Sequence, residues 1–349
     1  MKLSSLKEEK LISFINCFVE TPFLNEIEKD FDRLRYNRFL GGEPQCMLLT
    51  GDTGTGKTFL LHHYMSKYPA QNGSGYLRKP LLVSRIPSKP SLESTMVELL
   101  KDLGQWGSNY RRNRSSAENL TESLIKCMMR CETELILIDE FQELIENKTR
   151  ERRNQIANRL KYISETARIP IVLVGMPWAA KISEEPQWSS RLLIRKTIPY
   201  FKLTDGLSIF VRVIKGFAAR MPFRKPPEIE GKHTILGLYS ASQGRMRTLK
   251  FLLNEAVKQA LSEDSETLTH EHIGKAFHIF YPEHENPFYI PLENIKIYEV
   301  REYSGSGPAA KKKKLDGSGG YEIDGAGKED RLIPQQLTDR IPINQLLRK

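Results

Sequence analysis

Eight residues constrain this chain more than any others. Gly51-Asp52-Thr53-Gly54-Thr55-Gly56-Lys57-Thr58 matches G-x-x-x-x-G-K-[ST], and it lies between an apolar run, MLLT, and a helical pattern, FLLHHYMSKY. Glycines in such a loop let successive backbone N–H groups turn inward and cradle phosphate oxygens at a helix N-terminus, where the dipole favours anions. Lys57 is expected to reach the β- and γ-phosphates and Thr58 to ligate Mg²⁺, so the eight residues predict a site for ATP with Mg²⁺. A plain Gly-rich turn would not need the strand before it or the helix after it.

A companion stands further along. Leu135-Ile136-Leu137-Ile138-Asp139-Glu140 reads as a buried strand with two carboxylates at its C-terminal end, which is where open α/β sheets bind ligands. Asp139 is expected to hold Mg²⁺, directly or through water, and Glu140 to polarise the water that attacks the γ-phosphate. The second acid argues for hydrolysis, because transfer to another substrate needs no carboxylate poised over water.

Apolar stretches at Cys46–Thr50, Pro80–Ser84, Leu135–Ile138, Ile169–Val174 and Leu192–Ile198 alternate with helical patterns. This texture predicts an α/β fold, a parallel sheet with helices on both faces. The strand at 80–84 falls between the glycine loop and the acidic strand, so these two are not sequence neighbours. Ahead of the sheet, residues 6–19 read as a helix carrying Leu11, Ile15 and Phe18 on one face. Thr21-Pro22 caps a second helix with Leu24, Ile27, Phe31 and Leu34 in register. After about Thr204 only helical patterns remain, marked by Ile209, Val213 and Phe217, then Leu249, Leu252, Leu253, Ala256 and Val257, then Ile273 and Phe277. The expected organisation is an entry segment at 1–42, an α/β nucleotide-binding core at 43–203, a helical lid at 204–281 and an extended tail at 282–349. Within that tail an apolar piece at Ile341–Leu347 is either a short docking element or disordered.

Composition narrows the function classes. No apolar run reaches the roughly 20 residues of a membrane span, and Glu8, Glu9 and Lys10 interrupt the N-terminus in a way that does not suit a secretory signal. Four scattered cysteines predict reduced core thiols rather than a disulfide framework. The seven histidines form no metal constellation; the pairs His62/His63 and His270/His272 read as surface or interdomain residues. A formal charge of +10 favours a polyanionic partner. Residues 305–319, GSGPAAKKKKLDGSG, carry a basic cluster between identical Gly-Ser-Gly spacers. PAAKKKKLD is similar to a Myc-type nuclear localisation signal, and the symmetric spacers mark it as an engineered insert. Its charged residues supply a net +3, and the chain without them is still basic, at +7.

With a catalytic glutamate, an inserted strand and a helical lid, the chain resembles the AAA+ ATPases. More closely, it resembles the TnsC/TniB family of ATP-dependent regulators of DNA transposition, and within it the TnsC proteins of CRISPR-associated transposons. The matching stretches are the Thr21-Pro22 entry helix, LLTGDTGTGKT, SKPSLESTMVELLKDLG, LILIDEFQEL and IPIVLVGMP, which with the lid span about 15–280. The resemblance implies assembly as rings or filaments on double-stranded DNA, and a link between a target-selecting protein of the TniQ type and the transposase. It also implies a bacterial cytoplasmic parent, with the insert directing this version to a eukaryotic nucleus. Family members complete each ATP site with a neighbouring subunit's arginine; Arg191 is the candidate here and Arg195 the reserve. In the lid, Arg247 is expected to reach the γ-phosphate, with Arg245 its rival. Each has a plainer alternative as a surface arginine. One departure stands out: the strand after the acidic one leads into Gly175-Met176-Pro177, with no polar first-sensor residue. Slow hydrolysis, suited to a switch, is the expectation from that gap.

Two basic clusters fall in core connections: Tyr110-Arg111-Arg112-Asn113-Arg114, and Lys148, Arg150, Arg152 and Arg153. Clusters of this kind suit phosphates, which give affinity and salt dependence rather than sequence reading, although a charge run is also the ordinary make-up of a solvated face. In the resembling family, loops in the first region track duplex backbone. Two other readings share the ATP site: a helicase- or clamp-loader-like AAA+ ATPase, and a nucleotide-gated adaptor with incidental turnover.

Overall fold

The strand preceding the glycine loop, β1 (Cys46–Gly51), is buried along its whole length, so it needs covering layers on both faces. A computed structural model shows how it obtains them. The structure describes residues 3–72, 77–104, 117–146, 150–227, 229–301, 321–324, 331–334 and 337–346. β1 lies between β6 (Ile171–Gly175) and β7 (Leu192–Ile198); beyond β6 come β5 (Leu135–Asp139) and β4 (Leu81–Arg85). All pairings in this five-stranded sheet are parallel, in the order β4-β5-β6-β1-β7. The acidic strand is thus separated from β1 by β6, which follows it in sequence, while the strand read between them in sequence, β4, lies at the sheet edge beyond β5. Two short antiparallel hairpins, β2 (Gln71–Asn72) with β3 (Leu77–Arg78) and β8 (Tyr321–Asp324) with β9 (Arg331–Pro334), lie outside it.

Alternation along the strands builds two cores. Cys46, Leu48, Ile136, Ile138, Ile171 and Leu173 face one layer, with α4 (Leu92–Asp102), α5 (Ala117–Arg130) and α7 (Arg150–Ala167); α6 (Glu143–Glu146) is a single turn between. Met47, Leu49, Leu135, Leu137, Val172 and Val174 face the other, against α2 (Pro22–Phe39) and α3 (Lys57–Lys67). Successive side chains of a strand point to opposite faces, so a run of unbroken apolar residues feeds both cores at once. Thr21 caps α2 by accepting from Leu24 N at 3.2 Å, and Ile27, Phe31 and Leu34 are fully buried.

A 3-10 segment (Pro177–Glu184) and the turn α8 (Pro186–Ser189) lead from β6 to β7. A third core lies in the helices after β7: α9 (Leu203–Ala218), α10 (Lys232–Ser242), α11 (Met246–Ser262) and α12 (His270–Phe280). Two expected helical faces are corrected here. α1 (Ser5–Ile15) stops short of Phe18, and Phe14 is the residue it buries, whereas Ile15 is exposed. In α9, Gly206 departs from helical geometry (φ −143°), and Phe210 takes the buried position expected of Ile209. Lys250 of α11 ties α1 to this core: its Nζ donates to Phe14 O at 2.6 Å and lies 4.1 and 4.6 Å from the Phe14 and Phe217 ring centroids.

Of the expected extended tail, residues 283–301 and 337–346 are instead packed against the body of the protein. Phe288, Ile295 and Ile297 are buried in the third core, and so are Ile341, Ile343 and Leu346 around α13 (Ile343–Leu346). Val300 bridges Leu337, Thr338 N donates to Glu299 O, and Ile341 N donates to Ile297 O. The Glu299 side chain is 5% exposed and accepts from Leu203 N (2.7 Å), Thr204 N (2.9 Å) and Thr204 Oγ1 (2.9 Å), closing the N-terminus of α9.

His272 is likewise buried and forms the Thr269 capping box, a structural place where a surface or interdomain one was expected. All four cysteines are free; Cys46 and Cys131 are buried, Cys17 and Cys127 half-buried. Among the described residues, no helix is long and apolar enough to cross a membrane, and no group of three or more His, Cys, Asp or Glu residues could hold a metal by itself.

Candidate functional site

β1 delivers the glycine loop to the C-terminal edge of the sheet, and α3 starts directly after it. Gly54 (φ +76°) and Gly56 (φ +98°) adopt the left-handed conformations that side chains disfavour, so the backbone can curl inward. Asp52 fixes the curl: its Oδ1 accepts from Thr53 N at 2.6 Å, and its carbonyl accepts from Thr55 Oγ1 at 2.9 Å. The Lys57 ammonium donates to Gly51 O (2.5 Å) and Asp52 O (3.0 Å). Burial lowers the Lys57 pKa from its ordinary value, opposed by Asp139, Glu140 and Asp52 and reinforced by Arg247. Charges from the glycine loop, the acidic strand and the helical region thus all act on this lysine.

Thr58 Oγ1 donates to Asp139 Oδ2 at 2.6 Å, which joins the first turn of α3 to the end of β5 across the intervening strand. Asp139 is buried, whereas Glu140, one residue on, is exposed at the edge of the sheet. The hydroxyl and carboxylate are hard oxygen donors placed side by side, which fits Mg²⁺ with its remaining ligands from phosphate and water. The backbone N of Arg247 donates to Gly54 O at 3.0 Å, so the helical region touches the glycine loop at this residue. The guanidinium of Arg245 lies over the Tyr200 ring, 5.9 Å from its centroid.

Arg191 belongs to the other end of the sheet. Cys46 N donates to Arg191 O, and Leu192 pairs with Cys46 at the start of β1, while the glycine loop follows its finish. Five residues of strand separate the two ends, roughly 17 Å at the usual rise. Arg191 pairs with Glu165 and shares a surface pocket with Leu40 and Leu193. Arg195 donates to Leu192 O and Ser189 O. Neither touches the glycine loop of its own chain. Arg153 stands 3.6 Å from Glu185, and Arg150 and Arg152 fall in the first turn of α7. Tyr110, Arg111, Arg112, Asn113, Arg114 and Lys148, like residues 305–319, lie outside the described residues.

Two residues at the site have no counterpart in the sequence reading. Tyr200 donates its hydroxyl to Thr53 O at 2.7 Å, at the crossing from β7 to α9. Gln142 is 5% exposed; it donates to the Glu140 carboxylate and accepts from Met176 N at 3.1 Å. An amide between Phe141 and Glu143, two residues after the acidic pair, was the available signal for Gln142. Tyr200 carried none.

The family of the Bacterial TniB protein matches residues 15–202, more than half of the chain. The chain belongs to the TniB family. No curated protein matches this TniB-family chain significantly. Among solved structures, the Aeropyrum pernix ORC2 protein (ADPNP-ADP complexes) is similar at 16% identity and TM-score 0.57, covering 74% of this chain and 68% of that one. The Aeropyrum pernix ORC1 protein in complex with DNA is similar at 17% identity and TM-score 0.55, covering 75% and 66%. At such identities the likeness concerns fold: this TniB-family protein has the AAA+ architecture, a parallel sheet followed by a helical region. Family and fold together make it a transposition-associated protein of the AAA+ ATPase class.

Proposed function

We propose that this TniB-family protein hydrolyses ATP, assembles on double-stranded DNA as a ring or filament, and links a TniQ-type target-selecting protein to the transposase. Within the family, we read it as a counterpart of the TnsC proteins of CRISPR-associated transposons. The observation that carries the reading is the 2.6 Å bond from Thr58 to Asp139, made beside a lysine wrapped by the glycine loop. Lys57 and the inward N–H groups bind and orient the triphosphate. When bound, Mg²⁺ held by Thr58 and Asp139 offsets phosphate charge. Glu140, exposed at the edge, orients the attacking water and receives its proton. Arg247 reports the γ-phosphate to the helical region, which we take as a lid over a core ending near residue 203.

Arg191 suits a role in trans because it lies far from its own glycine loop. A subunit that presents this end of the sheet to the next subunit's site would place a guanidinium there. Leu40 and Leu193, each 66% exposed beside it, are apolar surface of the kind an interface covers. The basic residues at 110–114 and 148–152 are the proposed phosphate contacts, supported by charge and by the likeness in fold to the ORC1 protein solved in complex with DNA. Arg153 is the weakest of them, since Glu185 already meets its charge.

Electron microscopy with duplex DNA and a non-hydrolysable ATP analogue tests the assembly. Rings or filaments around duplex support the proposal. Assembly only on a helicase or clamp, or none that depends on DNA, refutes it. Glu140→Gln is expected to preserve assembly and block hydrolysis; unchanged turnover would remove Glu140 from the role of base.

A further inference from the structure

β6, the strand beside the acidic one, ends in Gly175-Met176-Pro177 and so offers no hydrogen-bonding amide, hydroxyl or charged side chain at its tip. The space above Gly175 is nevertheless occupied by a polar group. A Cβ on Gly175 would come within 2.8 Å of Gln142 Oε1, an atom belonging to the neighbouring strand's exit turn. Gln142 spans from one strand end to the other. Its Oε1 accepts from Met176 N at 3.1 Å, and its Nε2 donates to Glu140 Oε2.

The turn that holds this strut is over-determined. Glu140 sits at φ +56°, in the left-handed region that is rare for a residue with a side chain and that recurs at functional sites. Phe141, fully buried, anchors the next position, and its N donates to Val174 O at 2.9 Å. Glu143 N donates back to Glu140 O, and Ile145 N to Gln142 O. Both ends of the Gln142 amide are used, as burial demands of a polar side chain. A purely structural amide needs only some partner. This one has the exposed carboxylate of the acidic pair, whose own backbone N donates to Asp139 Oδ1.

We infer that Gln142 is a positioning residue for hydrolysis: it supplies from β5 the polar contact that β6 lacks, and it holds the Glu140 carboxylate in one orientation relative to the end of β6. This rests on the reading of Glu140 as the base. Its consequence is specific to the chemical step, because Gln142 touches neither the glycine loop nor Thr58 in the bonds above.

Gln142→Met keeps the volume and removes both hydrogen bonds; Gln142→Asn keeps the amide but is one methylene too short to span both partners. Each is made in the full chain and measured for kcat, KM, dissociation constant for a fluorescent ATP analogue, and thermal midpoint. The expected result is a fall in kcat of roughly 10–100-fold, with KM and analogue affinity within about twofold, since the binding groups are elsewhere. Added to Glu140→Gln, Gln142→Met is expected to slow single-turnover hydrolysis no further, because both act through one carboxylate. Parental turnover in either Gln142 variant, or a full additional loss on top of Glu140→Gln, would overturn the inference. So would a loss that tracks analogue affinity. If Glu140→Gln is inactive while Gln142→Met is not, this inference alone fails. If Glu140→Gln turns over at the parental rate, the base assignment fails and takes this one with it.

Discussion

Removing the Glu299 carboxylate is expected to loosen the joint between the sheet and the helices that follow it. Glu299 is 5% exposed and accepts from Leu203 N, Thr204 N and Thr204 Oγ1 at 2.7–2.9 Å. Two of those donors are helix-terminal N–H groups with no intrahelical acceptor. Hydrogen bonds to a charged group contribute about 1.5–3 kcal/mol each, and an orphaned buried donor costs about 1–3 kcal/mol. The three bonds share one carboxylate and are not additive, so Glu299→Ala is expected to cost about 3 kcal/mol in all. Glu299→Gln keeps an acceptor for both N–H groups and can donate to the Thr204 hydroxyl; it forfeits mainly the interaction of a negative charge with the helix dipole, about 1 kcal/mol. At about 2–4 °C per kcal/mol for domains of moderate size, the shifts are about 6–12 °C and 2–4 °C. Calorimetry or circular dichroism melts of the full chain measure both. An Ala variant within about 1 °C of the parent, or a Gln variant as unstable as Ala, would show that the carboxylate does not cap α9.

Lys57→Ala should abolish binding of a fluorescent ATP analogue, a loss of at least about 100-fold, while leaving the circular dichroism spectrum intact; retained binding would remove Lys57 from the phosphate cradle. Arg191→Ala should lower hydrolysis only under conditions where the protein assembles, and mixing it with Glu140→Gln subunits should restore part of the activity if the arginine acts across subunits. Lys250 gives a pH prediction. Burial lowers its pKa below the ordinary 10.5, against the raising effect of Cys17. Between the lowered folded value and 10.5 the unfolded chain holds more protons than the folded one, so stability attributable to this group rises with pH across that window. Thermal midpoints of the parent relative to Lys250→Met should therefore climb as pH is raised from neutrality towards 10.5; a gap that stays flat or shrinks would contradict the depressed lysine.

Short-range patterns carried most of the site and of the sheet into the primary structure. The glycine loop and the acidic pair were readable because phosphate and carboxylate chemistry demand particular residues at fixed spacing, and Thr58 and Asp139 indeed meet. Unbroken apolar runs identified β1, β5 and β6 because a strand buried on both faces cannot alternate. The helical faces of α1 and α9 were misread for local reasons. α1 ends before Phe18, and in α9 the buried stripe is Phe210, Val213, Ile214 and Phe217 at ordinary helical spacing, with Ile209 just outside it. Packing of residues 282–301 was invisible because Ile295, Ile297 and Glu299 alternate without a second strand beside them in sequence; their partner, at Leu337–Ile341, lies some 40 residues on. Gln142 and Tyr200 belong to the same category. Their roles arise from which strand ends and crossings become neighbours, and no spacing rule encodes that.

The bridge between Val300 and Leu337 has a practical corollary. The two stretches that flank residues 302–336 in sequence are fastened to each other, with Glu299 and Ile297 holding one side and Thr338 and Ile341 the other. Lengthening the connection between them adds only about 0.6 kcal/mol of closure entropy for each doubling. A change in the length of the chain between these two fastened stretches should accordingly cost little, whereas cutting the chain ahead of Leu337 strips the latch and uncovers the apolar floor beneath Ile341, Ile343 and Leu346.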